Sequence, residues 1–144
     1  MTNRPDVDEL KRVESGAILL RLVRSDAYDA AQPPGTRVQP RALQQKDFKP
    51  SPTSYGASVF VAAQLRDGVE TLAEEDDRWN GAIYACVPVD ELRKMGFDAR
   101  YSPQDCPNPR LAPAHASLIG VNKDNRVDVL RLLDDYLENR PPDT

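Results

Sequence analysis

Hydrophobic positions along the chain fall into short blocks whose period keeps changing, and the blocks predict an alternation of strands and helices. Val7, Leu10 and Val13 recur at helical spacing behind the capping-box pair Asp6 and Glu9, which predicts a short helix over 7–15 ended by Gly16. Residues 17–24 are apolar on both alternating faces, as in a central strand. Ile18, Leu20 and Leu22 point one way, and Leu19, Arg21 and Val23 the other.

Two further strands are predicted over 57–63 and 82–87, the latter closed by Pro88. Between them Asp67, Gly68 and Glu70 open a short acidic helix with a narrow stripe of Val69, Leu72 and Ala73, and Trp79 ends that segment against the core. Asp90 to Gly96 reads as a helix with Asp90 as N-cap, Leu92 and Met95 facing inward and Gly96 as its left-handed stop. An edge strand fits 97–101. Residues 114–121 alternate Ala116 and Leu118 against His115, Ser117 and Ile119, another strand, and the last helix spans about 124–139 with Val129, Leu130, Leu133, Tyr136 and Leu137 as its apolar face.

The remaining segments are 29–54 and 102–113. The first holds Pro33, Pro34, Pro40, Pro50 and Pro52 with few large apolar residues, so both segments are expected to be long proline-rich loops. No βαβ rhythm or glycine-rich phosphate loop appears. The expected fold class is α+β: one domain over 1–144, with a mixed or mostly antiparallel sheet of about four or five strands covered by helices.

Composition narrows the setting. The chain has 144 residues, 40% hydrophobic and 29% charged, enough for one core without disulfides or metal. Its apolar run at 17–23 is too short for a membrane span, and acidic residues precede it where a secretory leader would be basic, so a cytoplasmic protein is expected. Cys86 and Cys106 lack metal or redox spacing and are expected to be reduced thiols. A net charge of −4 argues against a general affinity for nucleic acid. Arg37, Arg41, Lys46 and Lys49 form one basic stretch and Asp67 to Asp77 an acidic one, both read as solvated faces.

Chemistry concentrates on few residues. His115 is the only histidine, so any imidazole base must be this one; Cys106 is a candidate thiol partner for it. Arg21 within an apolar strand must find a partner: a carboxylate or water in the bland case, a phosphate or carboxylate ligand in the sharp one. Should Arg21, Ser58, Tyr84 and His115 share one sheet face, they would form a polar cluster able to bind an anionic ligand, with Arg21, Ser58 and His115 as catalytic candidates. No cofactor and no metal is implied.

The segments Leu19-Leu20-Arg21-Leu22-Val23 and Gly56-Ala57-Ser58-Val59 resemble the arginine and serine motifs of the arginine-serine-glutamate ADP-ribosyltransferases. That family has Ser-Thr-Ser where this chain has Ala57-Ser58-Val59, and its Gln/Glu-x-Glu turn has no counterpart here. Residues 108–120 also resemble a pattern in small bacterial proteins, which implies a bacterial source. Without a nucleophile elbow, phosphate loop or paired-histidine motif, the sequence favours a non-enzymatic protein-binding accessory module of a larger bacterial system. A small enzyme or sensor binding an anionic ligand through Arg21 is the alternative.

Overall fold

The structure, a computed structural model, describes residues 5–43 and 55–138. Its centre is one antiparallel sheet built from β1 (Ile18–Val23), β2 (Ala57–Val61), β3 (Ile83–Pro88), β4 (Asp98–Tyr101), β5 (His115–Ile119) and β6 (Leu137–Glu138). The order across the sheet is β4-β5-β2-β1-β3-β6, so the apolar β1 is central, as its two-faced pattern predicts. Six strands replace the expected four or five.

Three helices complete the regular structure: α1 (Val69–Glu75), α2 (Val89–Lys94) and α3 (Arg126–Asp135). On one face of the sheet, α2 and α3 bury Val89, Leu92, Val129 and Leu133 against Leu19, Val59, Val87 and Leu118. On the other, Leu72 of α1 and Trp79 pack with Leu20, Leu65 and Leu111. Burial at both faces is what holds short helices that would be marginal alone. None of the helices among the described residues is long and apolar enough to cross a membrane.

Several expectations give way to tertiary pairing. The helix expected over 7–15 is only a turn at Val7–Glu9. Beyond it the backbone runs beside β4, where Val13 N–H donates to Ala99 C=O (3.0 Å) and Tyr101 N–H to Lys11 C=O (2.8 Å). An exposed strand edge offers those groups partners across the ladder, and the segment is too short to prefer its own helical bonds. The last helix stops at Asp135 rather than 139, because Leu137 and Glu138 turn to pair with Ala85 and Tyr84. Met95 is 42% exposed instead of inward: α2 ends at Lys94, and Met95 lies past its last turn. Asp90 does not cap α2; its carboxylate accepts from Gly16 N–H at 3.0 Å.

The first long loop is ordered in its described part. Tyr28 bridges to Val38, and turns form at Ser25–Ala27 and Pro40–Ala42. The buried carboxylate of Asp134 on α3 accepts from Gly35 N–H and from Val38 N–H, the latter at 3.1 Å, tying the loop to the helix. Arg37 is buried here and donates to Gln32 C=O, so the expected basic surface stretch loses that member. Lys46 and Lys49 lie outside the described residues. The 102–113 segment is also built of turns, at Pro103–Asp105 and, across its end, Ala112–Ala114.

Candidate functional site

The register of the sheet decides which side chains meet. Ser58 faces Ser117 and Phe60 faces His115 across β2 and β5. Leu20 faces both Phe60 and Cys86, and Leu22 faces Tyr84. Residues directly opposite each other share a face. Ser58, Tyr84, His115 and Ser117 therefore lie on the α1 face of the sheet, while Arg21, opposite Ala85, lies on the α3 face.

Arg21 accordingly leaves the polar cluster expected for it. Its Nη1 donates to the Ser58 carbonyl at 2.8 Å and its Nη2 to the Ala42 carbonyl at 2.6 Å. The β1–β2 ladder comprises only the pairs Leu19↔Val61 and Leu20↔Phe60, so Arg21 sits where the two strands part and bridges them with its side chain. The guanidinium of this strand is a clamp on main-chain oxygens, an arrangement its fork of donors suits.

Around His115 a different cluster forms. The imidazole is 3% exposed, set edge-on to Phe60 with ring centroids 5.4 Å apart. Nδ1 lies 2.9 Å from the Ser102 carbonyl and 2.9 Å from Ser102 Oγ; Nε2 lies 3.1 Å from Ser58 Oγ. A carbonyl only accepts, so Nδ1 carries the proton, and Nε2 is left as the acceptor for the Ser58 hydroxyl. Ser102 N–H in turn donates to the His115 carbonyl at 2.9 Å, fixing the two residues by a reciprocal pair of bonds. Ser102 Oγ also meets Ser117 Oγ at 2.7 Å.

Burial is the main influence on the imidazole and holds its pKa below the ordinary 6.5, against weaker upward pulls from the Ser102 carbonyl bond and the charge of Asp105. His115 is thus neutral at pH 7. Since the folded value is the lower one, stability is complete above pH 6.5 and declines as pH falls from there towards the folded pKa. Unfolding by urea at a series of pH values should show this loss starting above the range in which carboxylates titrate, and His115→Asn should flatten that part of the curve.

The thiol alternative is set aside by the same geometry. Both nitrogens of His115 are engaged by serines, and Cys106 Sγ donates instead to the Asn108 carbonyl at 3.4 Å. Burial raises the pKa of Cys106 and of Cys86, which keeps both protonated and poorly nucleophilic. Ser58, by contrast, is an exposed residue on an otherwise well-packed strand.

The cluster is thus an exposed serine, a buried neutral histidine hydrogen-bonded to it, and a carbonyl that orients the histidine. Serine, imidazole and orienting carbonyl in that sequence of contacts have the arrangement that a nucleophilic dyad requires. Ser117 shares the parity of His115 and was visible as part of its strand face; Ser102 comes from a loop that pattern does not reach. Compared with protein-family models, curated proteins and solved structures, the chain matches none. Arg21 and Ser58 lie on the neighbouring strands β1 and β2 with their side chains on opposite faces of the sheet, and the strand on the other side of β2 presents His115.

Proposed function

We propose that the protein is a small enzyme in which Ser58 is an acyl-accepting nucleophile and His115 its general base. The observation that carries this is the 3.1 Å contact from His115 Nε2 to Ser58 Oγ, with Nδ1 held at 2.9 Å by the Ser102 carbonyl. In the first step Ser58 Oγ attacks the carbonyl carbon of an ester while its proton passes to Nε2. The leaving alkoxide departs with that proton, and the acyl group stays on Ser58. Water then attacks the acyl-serine with His115 as base again, releasing a carboxylic acid and restoring the hydroxyl. Base catalysis of this kind contributes about 10²- to 10⁴-fold.

Incubation with p-nitrophenyl acetate tests it. One acetyl group should appear on Ser58 by peptide mass mapping, and its rate of formation should stay level down through pH 6.5 and fall only at lower pH, as the imidazole with its lowered pKa takes up a proton and can no longer accept that of the serine. Acetylation at other residues, equally fast in Ser58→Ala, would refute the assignment. Both cysteines are free thiols, which agrees with action in the reducing cytoplasm.

A second reading, the protein-binding accessory module, draws on the ordered loop 24–43. Asp134 and the Tyr28–Val38 bridge hold it in one shape, with Arg24, Asp26 and Arg41 exposed, and a preformed loop surface suits a protein partner. Co-purification of a stoichiometric partner that is lost on Asp134→Ala would favour it.

A further inference from the structure

Resting on the serine-nucleophile reading, the sheet also points to what Ser58 acts on. Leu22 faces Tyr84, and since Leu20 faces Phe60, Leu22 is level with Ser58 on the same face. Ser58, Leu22 and Tyr84 follow one another in a row on this face across β2, β1 and β3, with β1 and β2 parting between the first two. The helical layer buries Leu20 to 4% exposure but leaves Leu22 and Tyr84 half-buried and Ser58 exposed, so the row follows the rim of that layer. Trp79 stands beside it, its ring 6.1 Å from Phe60 and 6.2 Å from Tyr84.

Two features of the far end are chemical. The Tyr84 hydroxyl makes no hydrogen bond to any described residue, although the side chain is half-buried among apolar neighbours. Glu138 lies directly opposite Tyr84 on β6, on the same face, whereas Arg21 is on the other face of the sheet. The end of the row away from Ser58 thus offers a phenol donor and a negative charge, and Leu22 between them offers only hydrocarbon.

We infer that this row is the acyl cleft, and that it takes esters of uncharged, planar aromatic acids whose ring lies on Leu22 beside Trp79 and whose distal polar atom meets the Tyr84 hydroxyl. A carboxylate in the distal position would face Glu138, and the described residues of the row, Ser58, Leu22 and Tyr84, offer it no cation, an arrangement that like-charge repulsion and desolvation both oppose.

The test uses p-nitrophenyl acetate, benzoate, 4-methoxybenzoate and hemisuccinate, with each kcat/KM divided by the ester's own hydroxide-catalysed rate. Benzoate should exceed hemisuccinate by at least about tenfold, 4-methoxybenzoate should exceed benzoate, and Tyr84→Phe should bring that last ratio to one. On wild-type protein, benzamide should inhibit competitively and succinamate should not. A level normalised series, or a preference for the hemisuccinate, with turnover still abolished in Ser58→Ala, would overturn the cleft and leave the nucleophile standing. Turnover that persists in Ser58→Ala would overturn both.

Discussion

His115→Gln is expected to lower p-nitrophenyl acetate turnover by about 100- to 10,000-fold, the range that a positioned general base contributes. Glutamine retains an amide N–H for the Ser102 carbonyl but has no nitrogen able to take up the Ser58 proton. The loss should therefore appear in kcat with KM nearly unchanged, and it should be accompanied by loss of the acid limb of the pH profile, which a purely structural defect would leave in place. Turnover within threefold of wild type, in a variant whose unfolding curve is cooperative, would remove His115 from the chemistry.

Arg21→Met should have the largest effect on stability. The substitution keeps an unbranched apolar stem but removes the donors that reach the Ser58 and Ala42 carbonyls. Each hydrogen bond from a charged donor is worth about 1.5–3 kcal/mol, so losing both should cost about 3 kcal/mol or more. For a chain of this size that corresponds to a fall in Tm on the order of 10 °C. Arg21→Lys, with a single ammonium in place of a fork, should recover only part of it. Thermal and urea unfolding of the three proteins measure the difference, and a loss under 1 kcal/mol for Arg21→Met would show that the two ladder pairs and the apolar contacts hold the strands together without the guanidinium.

The strand cores were legible in the sequence because burial on two faces leaves a dense apolar alternation, as at Leu19 to Val23 and at Ala57 to Val61. Within β5, the separation of His115 and Ser117 from Ala116 and Leu118 follows from the period of two, and the structure keeps it. Parity within one strand does not fix the relation between strands, however. That relation is set by register, and the Leu20↔Phe60 pairing puts Arg21 on the face opposite Ser58. Ser102 was out of reach because it enters through a loop, held to His115 by main-chain bonds that no side-chain pattern records. The short strand Leu137–Glu138 was hidden for a related reason: it continues an apolar helical stripe, and only the free edge of β3 draws it away.

The brevity of the β1–β2 ladder bears on how the molecule opens. β1 and β3 are joined by six register pairs, and β2 and β5, like β4 and β5, by four, whereas β1 and β2 share two. The sheet is two three-stranded leaves sewn along a seam of two stitches and one guanidinium. Amide protons along that seam should exchange with solvent through a smaller opening than those of the β1–β3, β2–β5 and β4–β5 ladders, the two-pair β3–β6 edge aside, and Arg21→Met should speed their exchange before it touches those ladders. Ser58 and His115 lie on the same leaf, so the contact between them would survive an opening that separates it from the other.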